Sequence, residues 1–167
     1  CIRDRSSMKI AHSQSLIVNL KIFNHLSIAS LLNEWGCLSD TIALRTHHGK
    51  YVVAELNGDV NADRRIALDY ETFTVKELGE NQIALKSYHG KYMGAEEKSW
   101  SCSWCDWEVN ANSNEIGDDE KFLVKKQSDG TVALKTYHGK YVVAEDNNEL
   151  NADRTTVGSW EKFTPEC

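Results

Sequence analysis

The chain has 167 residues, enough for one domain with a substantial core but not for two of ordinary size. With 25 acidic against 19 basic side chains and six histidines, its net charge of −6 argues against nucleic acid or an anionic membrane surface as partner. No apolar run reaches the ~18 residues that a membrane span needs, and the five cysteines, an odd number, are not expected to form a full disulfide framework.

Residues 1–40 read as an N-terminal extension. The opening Cys1-Ile2-Arg3-Asp4-Arg5 matches the translation of a sequencing-library adaptor end, so Met8 is the expected native start; a genome encoding the same five residues upstream of Met8 would refute this. Leu16 to Phe23 alternates like a strand, whereas Leu26 to Trp35 reads about as well as a short helix. Leu32 precedes Ile42 by ten residues, as Phe73 precedes Ile83 and Phe122 precedes Val132, so 32–40 is also readable as the closing strand of a preceding repeat. Beyond residue 40 there remain 15 basic and 22 acidic side chains, and a partner attracted by long-range charge is expected to be basic or neutral.

From residue 41 onward an eight-residue stretch recurs. It runs from His48 to Glu55, from His89 to Glu96 and from His138 to Glu145. Tyr51 to Asn61 and Tyr141 to Asn151 are each ten residues, but Tyr92 to Asn110 is eighteen; from each of these Asn to the following Phe (Phe73, Phe122, Phe163) is always twelve. The unit is therefore 41 residues, in copies 41–81, 82–130 and 131–167, with an eight-residue insertion in the middle copy.

Inside a unit the apolar period is two. Ile42 and Leu44, Ile83 and Leu85, Val132 and Leu134 point one way, with Arg45, Lys86 and Lys135 on the other face. The His-Gly-Lys turn leads to a second strand, because glycine accepts the positive φ of a tight hairpin. There Val52, Met93 and Val142 with Ala54, Ala95 and Ala144 are the expected buried face, since Val53 and Val143 correspond to Gly94. A third strand carries Val60, Val109 and Leu150, and a fourth carries Phe73, Phe122 and Phe163. Four short strands in each of three units predict an all-β fold, a β-trefoil of three pseudo-symmetric four-stranded repeats. No copy can bury its apolar face alone, so the three must share a core.

The run from Val132 to Tyr141, with Phe at the fourth strand, resembles the repeat of the fascin-like β-trefoils, the group that includes fascin and hisactophilin. The resemblance covers residues 41–167 and implies an actin-filament-binding or cross-linking module in the cytoplasm. Lys50, Lys91 and Lys140, one in each hairpin, are then the candidate actin contacts. A trefoil of this kind also serves as a carbohydrate-binding accessory module beside an enzyme, and in that alternative the protein is secreted.

The insertion supplies the candidate glycan site. Trp100, Trp104 and Trp107 fall within eight residues, beside Asp106 and Glu108, and exposed aromatics next to carboxylates suit the stacking and hydrogen bonding of a sugar ring; the plainer account is that the tryptophans cap one end of the barrel. His48, His89 and His138 are candidate pH sensors because imidazole titrates near neutrality, although turn chemistry is the preferred account of a residue present in every copy. Asn61 to Arg64 and Asn151 to Arg154 share the sequence Asn-Ala-Asp-Arg, read preferentially as an Asx-type turn with Asp and Arg in solvent. Cys102 and Cys105 form a lone C-x-x-C without the further ligands zinc needs, expected as a loop disulfide or as free thiols. No metal, cofactor or catalytic constellation is expected.

Overall fold

The computed structural model describes residues 30–97 and 107–167. The readings made of residues 1–29 therefore lie outside the described part. The first repeat forms β1 (Thr41–Thr46), β2 (Tyr51–Ala54), β3 (Val60–Arg64) and β4 (Thr72–Gly79). The second forms β5 (Gln82–Ser87), β6 (Tyr92–Glu97), β7 (Trp107–Ser113) and β8 (Phe122–Lys126). The third forms β9 (Val132–Thr136), β10 (Tyr141–Ala144), β11 (Leu150–Arg154) and β12 (Phe163–Glu166).

Six strands close a barrel. Antiparallel pairing runs β1 to β4, β4 to β5, β5 to β8, β8 to β9, β9 to β12 and back from β12 to β1, so the barrel wall has no free edge. Phe73, Phe122 and Phe163 are fully buried inside it, each burial contributing about 2–3 kcal/mol. This is the all-β trefoil expected from the spacing. Gly49, Gly90 and Gly139 take φ of 77°, 80° and 80°, which lets each His-Gly-Lys turn close between its strands.

The second strands depart from the expected phase. Val53 and Val143 are as completely buried as Val52 and Val142, because the loop before each fourth strand folds over the outer face; a 3-10 turn at Asp69–Glu71 packs on β2. The Asn-Ala-Asp-Arg stretches are also not turns. They are strands β3 and β11, and their asparagines meet the neighbouring copies around the pseudo-threefold axis: Asp59 pairs with Asn110, Glu108 with Asn151 and Glu149 with Asn61. These contacts join the three hairpins into a cap around a half-open polar pocket of about 200 Å³.

Residues 32–40 are not a closing strand. A short helix, α1 (Ser30–Glu34), inserts Leu31 into the core cluster, with Leu32 and Trp35 packed against it. Gly36, at φ 78°, ends the helix. Lys126 pairs with Glu34, and a disulfide joins Cys37 to Cys167 across 130 residues with their Cα atoms 5.4 Å apart.

Candidate functional site

Each loop that leads into a fourth strand is held by a buried glutamate two residues before the core phenylalanine. Glu71, Glu120 and Glu161 accept the backbone N–H of Leu68, Gly117 and Gly158 at 2.8, 2.8 and 2.6 Å. In the outer copies an arginine adds a brace: Arg64 Nε lies 3.5 Å from Glu71, and Arg154 Nε lies 3.6 Å from Glu161. Arg64 also pairs with Glu55 and Asp63, and Arg154 with Glu145 and Asp153. The middle copy has Ser113 where the others have arginine.

These loops meet the His-Gly-Lys turn of the next repeat, which creates three pseudo-equivalent junctions. At the first, Tyr70 packs against Tyr88 and His89, with ring centroids 5.2 and 5.0 Å away. Tyr70 and Tyr88 nevertheless keep 52% and 57% of their surface in solvent, and Ile66 and Leu68 keep 69% each. Together they line a groove of about 530 Å³ with Arg65 and Asp69, whose side chains have no hydrogen-bond or ion-pair partner among the described residues. Such a concentration of exposed apolar surface beside polar groups is what a binding groove presents.

The other junctions carry different residues on the same frame. Trp160 takes the place of Tyr70 at the third, its ring 5.1 Å from that of His48. At the second the place is taken by Asp119, whose carboxylate lies 2.6 Å from His138 Nε2, and Trp107 stacks on the His138 ring at 3.8 Å and 26°.

The candidate pH sensors His48, His89 and His138 are thus the rings that seat each turn on the preceding repeat. Lys50 and Lys91 hydrogen-bond to the side chains of Asn148 and Asn114, while Lys140 gives its backbone N–H to Thr136 at 3.3 Å; the three lysines belong to three separate hairpins. The proposed Trp-rich cluster is divided. Trp107 stacks at the second junction, Glu108 turns to the threefold axis opposite Asn151, and Trp100, Trp104, Asp106, Cys102 and Cys105 lie outside the described residues. Sequence reasoning missed Arg65, Ile66, Leu68, Tyr70 and Tyr88. Their signal was disagreement between copies: Leu68 aligns with Gly117 and Gly158, and Tyr70 with Asp119 and Trp160. Among the described residues no group of three or more His, Cys, Asp or Glu is placed to hold a metal ion, and no helix is long and apolar enough to cross a membrane.

A closed barrel capped by three hairpins, with an aromatic groove where two repeats meet, defines a β-trefoil with a surface groove at a repeat junction. The chain belongs to the DUF7910 family, a domain of unknown function, whose profile matches residues 41–165. Among solved structures it is similar to a designed 3-fold symmetric protein, ThreeFoil, with a TM-score of 0.66, 20% identity, and coverage of 77% of this chain and 99% of that one. That likeness speaks for the fold alone. No curated protein matches the sequence.

Proposed function

We propose that the protein is a non-catalytic carbohydrate-binding module whose site is the groove at the first repeat junction. The observation that carries this reading is the pair of half-exposed rings, Tyr70 and Tyr88, flanked by Arg65 and Asp69, whose side chains have no partner among the described residues. Aromatic faces take the apolar face of a pyranose, while guanidinium and carboxylate supply donors and acceptors for its hydroxyls. None of these side chains is common to all three copies: Arg65 is replaced by Asn114 and Thr155, Asp69 by Ser159 in the third copy, Tyr70 by Asp119 in the second, and Tyr88 by His47 in the first. The disulfide between Cys37 and Cys167 supports secretion into an oxidising compartment over the cytoplasmic alternative.

The competing proposal, fascin-like actin binding, draws on the resemblance of the repeat. Lys50, Lys91 and Lys140 offer it three dispersed cations on a chain of net charge −6, two of them already bonded to asparagines. Affinity electrophoresis in gels containing soluble β-1,3-glucan, xylan, mannan or hydroxyethyl cellulose, run beside F-actin co-sedimentation, separates the two. The carbohydrate reading expects retardation by at least one polysaccharide, with Tyr70→Ala and Tyr88→Ala weakening it about tenfold or more. Co-pelleting with actin and free migration in every gel would reverse the conclusion.

A further inference from the structure

We propose that the third junction, built on Trp160, His47 and His48, is a second sugar-binding site, so that one chain grips a neutral polysaccharide at two places; this rests on the carbohydrate reading above. The pseudo-threefold operation that carries Tyr70 onto Trp160 carries Tyr88 and His89 onto His47 and His48. Both loops are fixed by the same brace, a buried glutamate holding a backbone N–H and facing an arginine, Arg64 with Glu71 in one and Arg154 with Glu161 in the other. A rigid frame therefore presents an aromatic ring at each junction. Trp160 retains 37% of its surface exposed, His47 is exposed, and His48 is anchored with Nε2 3.0 Å from the carbonyl oxygen of Ala144. The His47 and Trp160 rings meet that of His48 edge-on, at 5.7 and 5.1 Å. A part-exposed indole next to His48, with the exposed imidazole of His47 beyond it, offers stacking and hydrogen bonding to one pyranose.

The second junction is an internal contrast. Its loop position is Asp119 instead of an aromatic, and the ring of His138 is already covered by Trp107. Its turn ring, Tyr137, is 63% exposed but has no aromatic of the loop opposite it, so only two junctions of three bring a loop aromatic onto the rings of the next turn. Two weak sites on one rigid domain favour a ligand that repeats, because the second contact is made at a high effective concentration. The net charge of −6 disfavours a polyanionic glycan, so the ligand class is a polymer of uncharged sugars.

The test uses whichever of the four neutral polysaccharides retards the full chain most in the gel. Variants are Trp160→Ala, Tyr70→Ala with Tyr88→Ala, all three together, and Tyr137→Ala at the second junction. Near-ultraviolet circular dichroism checks folding, and His47→Ala with Trp160→Tyr serve if Trp160→Ala does not fold. The expected result is about a tenfold to hundredfold loss of affinity for the polymer when either the first or the third junction is disabled. Loss of retardation is expected only when both are disabled, while Tyr137→Ala behaves as wild type and Trp160→Tyr, which keeps a ring, loses less affinity than Trp160→Ala. If Trp160→Ala, or His47→Ala in its stead, migrates as wild type while Tyr70→Ala with Tyr88→Ala abolishes retardation, the chain has one site and the inference is overturned. Free migration of the wild-type chain in all four gels overturns the carbohydrate reading itself, and the second site with it.

Discussion

Gly94 shows how the three copies solve one packing problem in two ways. A Cβ there would sit 2.9 Å from Glu120 Oε1, whereas Val53 and Val143 fill the same place in copies whose glutamate faces an arginine. Gly94→Val is accordingly expected to cost about 1–3 kcal/mol of stability in urea denaturation. Adding Ser113→Arg supplies the missing brace and should recover part of the loss, a coupling that a double-mutant cycle reads directly. Asp129 offers a test of charge. The hydrogen bond from Lys162 Nζ at 2.7 Å, then those from the hydroxyl and amide of Thr131, hold its carboxyl well below its ordinary value of 3.8. Because the folded value is the lower one, the stabilisation is complete above about pH 4 and fades as the pH falls further toward the folded value. Asp129→Asn should therefore flatten the acid limb of the stability profile and leave stability near neutrality lower than wild type.

At the scale of elements, the middle hairpin is the one that departs from the pattern. Its strands pair for two residues beyond those of the other hairpins, with Glu96 opposite Glu108 and Glu97 opposite Trp107. Like charges directly opposite each other weaken a ladder, so the extra pairing adds little to stability. Deleting residues 98–105 restores the ten-residue spacing of the other copies. The shortened chain should fold with a urea midpoint corresponding to a change of no more than about 1 kcal/mol, since loop length enters closure entropy only logarithmically. A larger loss would mean that the insertion packs on the barrel.

The whole molecule is held by closure at two levels. The barrel is sealed when β12 of the third repeat pairs with β1 of the first, and the Cys37–Cys167 disulfide locks that seam to the segment carrying α1. Restricting so long a loop in the unfolded chain is worth roughly 2–4 kcal/mol. Cys37→Ser, or reduction with dithiothreitol, should lower the melting temperature by roughly 10 °C in calorimetry. An unchanged melting temperature would show that the bond does not form in solution.

What the sequence determined by itself follows from local periodicity. Period-two alternation, the glycines of the three turns and the constant twelve-residue step to phenylalanine fix the strands, their number and the residues of the core. The second-strand valines escaped that logic because their outer face is covered by a loop from the same repeat, a tertiary contact with no period of its own. The candidate groove escaped it for a related reason. Tyr70 and Tyr88 belong to different repeats and meet only because β4 and β5 bring the loop of one copy onto the turn of the next. Cys37 and Cys167 become neighbours by the same closure from opposite ends of the described chain. Repetition in sequence specifies what is alike in the copies; packing across their boundaries decides at which junction Trp107 covers the histidine and at which an aromatic of the loop meets it instead.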